Sequence, residues 1–297
     1  MLRNFEDMQA AARARGKVRV AVAAAQDREV LEAIKAGLQA GLIEATLVGD
    51  PARIRPLAEE LGILDQVTIL SEPDLDQASL VAAGLVHDGE AQVLMKGLVN
   101  SASFLKAALH PERGLRTGKL LSHLAALETP GRPKLEFLTD GGMNIAPGLE
   151  EKMRILENSL EAMAHMGIPC PKVAVMCANE QVSPKMQSTV DAQGLVEAWR
   201  AGAFPDCIVE GPIAMDVAVS AEAAHHKGIQ SQIAGQVDLF LMPTIDAGNL
   251  VAKTMVQYGK AKIAGVILGA SRPMVLVSRS DNAEAKLNAI AMAALLA

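Results

Sequence analysis

Short, continuously apolar runs alternate with helix-period stretches from residue 18 almost to the C-terminus, and this rhythm is what most limits the folds open to the chain. In the first half the runs are 18–23, 45–48, 67–70 and 93–95, separated by helical patterns over 29–40, 52–61 and 76–87. The runs do not alternate apolar with polar, so both faces of each strand must be covered. Strand, helix, strand in repetition is the sequence form of βαβ units and a parallel sheet. A helix over 101–109 follows the fourth run. Between 111 and 133 the rhythm breaks on Gly114, Thr117, Gly118, Pro130, Gly131 and Pro133, as at a loop or domain crossing, and the boundary is set near Pro130. Beyond it the alternation resumes: 135–138, helix 150–166, 173–176, helix 186–201, 207–209, 239–242, helix 249–258, then 263–268, 274–277 and a last helical pattern. The expected class is α/β, with two doubly wound parallel-sheet domains. Periodicity leaves open which domain takes the last two strands.

A chain of 297 residues that is 50% hydrophobic can bury cores of that size. Its net charge of −6 and the lack of a concentrated basic run argue against nucleic acid as partner, since a positive face supplies most of that affinity. Aromatic content of 2% also offers few stacking platforms for single strands. Cys170, Cys177 and Cys207 are odd in number and share no metal-ligand spacing, which points to reduced thiols, a cytoplasmic protein and no metal site. The first 17 residues mix Glu6 and Asp7 with Arg3, Arg13 and Arg15, reading as an amphipathic helix and not as a secretion signal. No apolar run approaches the roughly 18 residues of a membrane span, so no membrane partner is expected.

In doubly wound sheets ligands bind beyond the carboxyl ends of the strands. The polar groups standing there are Lys96-Gly97 with Asn100 and Ser101, Thr139-Asp140-Gly141-Gly142 with Asn144, Asn179-Glu180, Glu210-Gly211-Pro212, Asp246 with Asn249, Gly269-Ala-Ser271, and Ser278-Arg279. Any one of these can be a turn residue; their recurrence after nearly every strand points to one elongated cleft. Ser278-Arg279 stand where a buried run opens onto a helix, where free backbone N–H groups and an arginine favour an anion. Capping of that helix by Ser280 or Asp281, with Glu284 completing a capping box, is expected alongside and leaves Ser278 and Arg279 unaccounted for.

Other chemistries fail on residues. No G-x-x-x-x-G-K-[ST] loop is present, and Ala23-Ala24-Ala25-Gln26 stands where a dinucleotide G-x-G-x-x-G would follow the first strand. A G-x-S-x-G elbow is also missing. His225-His226 are read as helix-end residues, His123 as a structural histidine in a helical segment, and Cys177 as a buried strand-end thiol.

Several segments, in order and at matching spacing from about residue 44 to the C-terminus, carry a resemblance. They are Val93-Leu-Met-Lys-Gly-Leu98, Gly114-Leu-Arg-Thr-Gly118 with Leu121-Ser-His123, Thr139-Asp-Gly-Gly-Met-Asn-Ile-Ala-Pro147, Asn179-Glu180 through Pro184-Lys-Met186, Glu210-Gly-Pro212, Asp246-Ala-Gly-Asn249 and Val277-Ser-Arg279. With these the chain resembles the phosphate acetyl/butyryltransferase family, closest to its butyryl branch.

That resemblance implies acyl-CoA plus phosphate interconverting with acyl phosphate plus CoA, with CoA as substrate and neither metal nor bound cofactor. It implies two α/β domains of isocitrate/isopropylmalate dehydrogenase-like fold, 1–130 plus 265–297 and 131–264, with an interdomain cleft, in a homodimer or higher homo-oligomer. Ser278 and Arg279 become the catalytic candidates. Lys96, Asn100, Ser101, Lys106, Arg116, Thr117, Asn144, Asp246 and Asn249 become substrate-binding ones. Lys106 stands for a basic residue of the acetyl branch, without the bidentate grip of an arginine. The acetyl branch also has an Asp seven residues after this Ser; here that position is Ala285, so the group that deprotonates the thiol is unnamed. The alternatives weighed against this reading are an inactive intracellular binding protein and a metal-dependent dehydrogenase on the same fold.

Overall fold

The computed structural model describes residues 2–204, 206–276 and 282–297. They form two compact units: a terminal unit of residues 4–119 and 263–297, and a middle unit of residues 120–262 with the first residues of the chain. In chain order the terminal unit runs α1 (Phe5–Arg15), β1 (Val18–Ala23), α2 (Arg28–Gln39), β2 (Ile43–Gly49), α3 (Pro51–Glu60), β3 (Val67–Ser71), α4 (Leu75–His87), β4 (Val93–Lys96) and α5 (Ser101–Ala108). The middle unit follows with β5 (Ser122–Glu128), β6 (Glu136–Thr139), α6 (Leu149–His165), β7 (Lys172–Met176), α7 (Gln187–Arg200), β8 (Ile208–Ile213), α8 (Met215–Val219), α9 (Ala221–His226), β9 (Leu239–Leu241) and α10 (Ile245–Gln257). The chain then returns through β10 (Lys262–Leu268), β11 (Met274–Val275) and α11 (Ala283–Leu296).

Local chemistry explains where helices begin. Asp27, Asp50 and Asp74 each stand in extended backbone just before α2, α3 and α4, and each carboxylate accepts from a first-turn N–H. A negative cap is also favoured by the helix dipole. Pro51 opens α3, where its missing N–H costs nothing.

In the terminal unit the strand order is β3-β2-β1-β4-β11-β10, parallel throughout except that β10 runs antiparallel to β11. The chain moves outward from β1 to β3, then crosses back to lay β4 on the other side of β1. The order therefore reverses between β1 and β4, the kind of point at which a doubly wound sheet opens a ligand crevice. Val20–Ala23 and Val93–Met95 are fully buried, as the continuous apolar runs required. Buried along almost its whole length, α11 packs against α1 and α2. A helix apolar on all sides belongs in an interior.

The middle unit orders its strands β5-β6-β9-β7-β8, with β5 antiparallel to β6 and the others parallel. Here three expectations are corrected. Ser122–Glu128, read as helical around His123, is a strand paired Ala125 to Leu138 and Leu127 to Glu136. Its Ala, Leu and Glu content favours helix, but Leu124–Leu127 are fully buried and sheet pairing overrides propensity. Secondly, α10 starts at Ile245, four residues earlier than expected, because Thr244 caps it by accepting from the Ala247 N–H at 3.3 Å. Between β8 and β9 lie α8, which was not expected, and α9, which ends on the His225-His226 pair read as helix-end residues. In the terminal unit a fourth is corrected: α11 is capped by Asn282, whose Oδ1 accepts from the Ala285 N–H at 2.9 Å; Ser280 and Asp281, expected as caps, lie outside the described residues.

Candidate active site

At the sheet reversal of the terminal unit, Gly97 is clipped onto the end of β1. Its N–H donates to Ala23 O at 2.8 Å, and the Leu98 N–H donates to Ala24 O at 2.7 Å. A Cβ on Gly97 would stand 2.3 Å from Ala24 O and 2.6 Å from Ala23 O, so only glycine lets the two strand ends approach this closely. Lys96, just before it, is 8% exposed, and its Nζ donates to Val99 O at 2.9 Å and to Gly97 O at 3.3 Å. Backbone carbonyls thus take the hydrogen bonds of a buried lysine head group at the carboxyl end of the sheet. Next, Asn100 caps α5: its Oδ1 accepts from the Ser103 N–H at 2.8 Å and its Nδ2 donates to Ser103 Oγ at 3.0 Å. Ser101 begins that helix and Lys106 lies in its last turn, both exposed.

The loop after α5 is tied back in two places. Leu115, 1% exposed, donates its N–H to Ala108 O at 2.6 Å and accepts from the Ser271 N–H at 2.9 Å. Thr117 Oγ1 donates to Gly269 O at 2.5 Å and accepts from the Lys119 N–H at 3.1 Å. Between these anchors the Arg116 side chain is exposed. Thr117, a substrate-binding candidate, latches the loop to the β10–β11 turn.

The carboxyl end of β6 in the middle unit is built around Asp140, a residue absent from the expected binding set. Its carboxylate is 2% exposed and accepts four bonds: Oδ1 from the Gly142 and Met143 N–H groups at 2.8 and 2.9 Å, and Oδ2 from Asn144 Nδ2 at 2.6 Å and the His123 N–H at 3.2 Å. Thr139, joined to Asp140 by a cis peptide, donates its hydroxyl to His123 O at 2.9 Å. Asn144 also donates to Leu121 O at 2.9 Å. The first turns of α10 close on this loop: a Cβ on Gly248 would lie 2.7 Å from Asp140 O, and Asn249 Nδ2 donates to Gly141 O at 3.2 Å. Lys152, 3% exposed, holds the far end of the same loop, donating to Pro147 O at 2.7 Å and Asp191 Oδ2 at 2.6 Å.

The structure therefore groups Lys96, Asn100 and Ser101 on one loop, with Lys106, Arg116 and Thr117 on the helix and loop that follow. It groups Asn144 and Asn249 on the Asp140 turn, with Asp246 exposed one turn earlier on α10. Asn100, Thr117, Asn144 and Asn249 all use their side chains on the protein itself. Asp140 carried a signal in sequence, a strand end followed by two glycines, but such a signal is shared with ordinary turns. Lys152 carried none.

The remaining reactive groups read as structural. Cys177 donates its thiol to Ser188 O at 3.2 Å, and burial pushes that thiol up from its ordinary range. Cys207 is pushed up to about 11, chiefly by burial. His225 and His226 occupy the last turn of α9, where the helix dipole favours them. Among the described residues no group of three or more His, Cys, Asp or Glu is arranged to hold a metal ion.

Residues 68–294 match the family model described as phosphate acetyl/butaryl transferase. A phosphate butyryltransferase of Clostridium acetobutylicum is 44% identical over 298 residues, covering 100% of this chain and 99% of that one. The chain belongs to this family. A phosphate acetyltransferase of Thermotoga maritima is 39% identical over 286 residues, covering 96% of this chain and 97% of its own. Among solved structures, a branched-chain phosphotransacylase from Enterococcus faecalis superposes with a TM-score of 0.84 at 31% identity, over 93% of this chain and 97% of that one.

For a phosphate acetyl/butyryl transferase, two family-implied positions remain to be located. Ser278 and Arg279 lie outside the described residues. β11, the strand that leads toward them, pairs in parallel with β4, Val275 opposite Met95. Ala285, where the acetyl branch has its Asp, is 9% exposed in the first turn of α11 and offers no acid–base group.

Proposed function

We propose that this chain is an acyltransferase that interconverts acyl-CoA and phosphate with acyl phosphate and CoA. The observation that carries the reading is the 44% identity to a phosphate butyryltransferase along the whole of both chains. The terminal unit's chemistry is consistent with it. The buried lysine head group at the β1/β4 reversal and the exposed cations of Lys106 and Arg116 suit substrates rich in phosphate oxygens. The proposed two-unit organisation is the isocitrate/isopropylmalate dehydrogenase-like one, supported by the return of residues 263–297 to the terminal unit.

In the acyl phosphate to acyl-CoA direction, the CoA thiolate attacks the carbonyl carbon, a tetrahedral oxyanion forms, and phosphate leaves with the electrons of the C–O bond. Donors aimed at that oxyanion lower the barrier more than contacts equal in ground and transition states. Ser278 is assigned to the developing oxyanion or the thiol, and Arg279 to the phosphoryl oxygens, where its planar fork grips two at once. Lys96, Ser101, Lys106 and Arg116 are assigned to the phosphates by charge, with Asn100, Thr117, Asn144 and Asn249 shaping the loops around them. With no carboxylate at position 285, the thiol is proposed to ionise in this positive field, its reference pKa being about 8.5. The protein is assigned to the cytoplasm, and no helix among the described residues is long and apolar enough to cross a membrane. It is proposed to act as a homo-oligomer.

The test is loss of CoA thiol on mixing the protein with butyryl phosphate or acetyl phosphate in the presence of EDTA. Turnover that survives EDTA is expected. If no short acyl phosphate consumes the thiol, the acyltransferase reading is wrong.

A further inference from the structure

Two of the three thiols stand beside each other at the amino ends of two middle-unit strands, away from the carboxyl ends that carry that unit's substrate candidates. β7 begins at Lys172 and β8 at Ile208, and the strands run parallel with Lys172 opposite Ile208. The pairing reaches one residue further back, where the Ile208 N–H donates to Pro171 O at 3.1 Å. Cys207 is therefore the neighbour of Pro171 across the pair, and Cys170 comes one residue before that proline. Strands about 4.8 Å apart, with a rise of about 3.3 Å per residue, set the two Cα atoms about 6 Å apart. A disulfide spans about 4.4–6.8 Å between Cα atoms.

In an unbroken strand Cys170 would point to the face opposite Cys207, because successive side chains alternate. Its φ of 51° is left-handed, which takes it out of that alternation. Pro169 and Pro171 on either side restrict the backbone further. Cys207 is held as well: its carbonyl accepts from Trp199 Nε1 at 2.9 Å, and its thiol donates to Phe204 O at 3.4 Å. The two sulfurs lie close enough to act on each other. Burial first, then Cys170, then Asp206 push the Cys207 thiol up to about 11, so Cys170 weighs more than the carboxylate next to Cys207 in the chain. Exposure separates their roles, since Cys170 is exposed and Cys207 buried. Cys170 also lines a cavity of about 710 Å³ together with Ile168, Phe204 and Asp206.

We infer that Cys170 and Cys207 are a reversible redox pair, in which the exposed Cys170 thiol meets hydrogen peroxide and Cys207 closes a disulfide onto it. The Cys170 thiolate attacks one peroxide oxygen, the O–O bond breaks, and a sulfenic acid forms while the departing hydroxide takes up the thiol proton as water. The Cys207 sulfur then attacks the sulfenic sulfur. Its proton leaves with the displaced hydroxide as a second water, and the S–S bond forms. Two thiols are oxidised, one peroxide is reduced to two waters, and a dithiol reverses the change by exchange. The bond ties the entry of β7 to the entry of β8 across α7. Cys177, at the other end of β7, is a strand length away and takes no part.

The experiment treats the full chain with hydrogen peroxide, blocks the remaining thiols with iodoacetamide in denaturant, digests without reduction and reads the peptides by mass spectrometry. Trypsin cuts after Lys172, Lys185 and Arg200, which puts the three cysteines on three peptides. The wild type is expected to give one linked pair joining Cys170 to Cys207, lost on adding dithiothreitol, with Cys177 alkylated. Cys207→Ser should stop at the sulfenic acid, trapped on Cys170 by dimedone in several-fold higher yield than in the wild type. Cys170→Ser should leave Cys207 alkylated and form no disulfide. Circular dichroism verifies folding of the variants, and the wild-type map stands by itself if one fails to fold. Treated wild type with Cys207 still alkylated, with Cys170 driven to sulfinic acid and no disulfide, or with a disulfide that uses Cys177 or a second chain would each overturn the inference. None of these readouts depends on acyl transfer.

Discussion

Two strand ends, one in each unit, use their polar groups in opposite ways. Around β6 in the middle unit, Asp140, Asn144, Asn249 and Lys152 are all engaged by the protein, and the glycine at 248 is packed to within a methyl group of the neighbouring backbone. Around β4 in the terminal unit, Lys96 and Asn100 order the loop, while Ser101, Lys106 and Arg116 keep their side chains exposed. One end is a turn fixed by many bonds. The other is a short ordered loop bearing cations that are free to meet an anion. Substitutions at the first should therefore act on stability, and substitutions at the second on turnover.

The largest effect expected is on the side of architecture. Asp140→Ala leaves three backbone N–H groups and the Asn144 side-chain amide without their buried acceptor, and should lower stability by about 3–5 kcal/mol, read as a fall in the urea midpoint. If the midpoint barely moves while turnover collapses, the contrast between the two ends is wrong and Asp140 acts on substrate. Arg279→Ala comes next: about 100- to 1000-fold should be lost from kcat/KM for butyryl phosphate, the scale of a transition-state donor, with an unchanged melting temperature. Near wild-type kcat/KM in that variant would remove the arginine from the site.

Gly248→Ala forces a methyl against Asp140 O, and overpacking of this kind should cost about 1–3 kcal/mol, measurable in the same denaturation experiment. A neutral outcome would mean that the turn can shift, contrary to the rigidity claimed for it. Arg116→Ala should raise KM for CoA or acyl phosphate by about fivefold, with kcat changed less and no loss of stability, as for one exposed cation facing phosphate. The smallest effect belongs to Cys177. Its thiol is pushed above its ordinary pKa by burial, so it stays protonated at neutral pH, and its thiolate fraction rises only on moving well into the alkaline range. Cys177→Ser should leave turnover within about twofold, and a slow, strongly pH-dependent reaction with iodoacetamide at that residue would agree.

Much of this molecule was legible in its residues, because strands covered on both faces and helices opened by Asp caps are local patterns. The run 18–23 is β1 to the residue, and Asp27, Asp50 and Asp74 start helices as capping chemistry requires. The resemblance carried by Lys96-Gly97, the 139–147 segment and Asp246–Asn249 led to the family that the whole-chain comparison then gave. What failed was whatever depended on a distant partner. Ser122–Glu128 has the propensity of a helix and becomes a strand only because Glu136–Thr139 pairs with it. The hydrogen bonds of Thr117, Asn144 and Asn249 to carbonyls elsewhere in the chain were likewise not legible in the sequence.

The sequence by itself determined the α/β class, the strand and helix rhythm, the family and the residue types available at each strand end, since these follow from periodicity, caps and ordered motifs along one dimension. Only the tertiary structure decided that the order reverses between β1 and β4 and that Asp140 organises its turn. The physical reason is common to both. Sheet order, hydrogen-bond completion and burial depend on which groups meet across long separations in the chain, and no local pattern encodes that meeting.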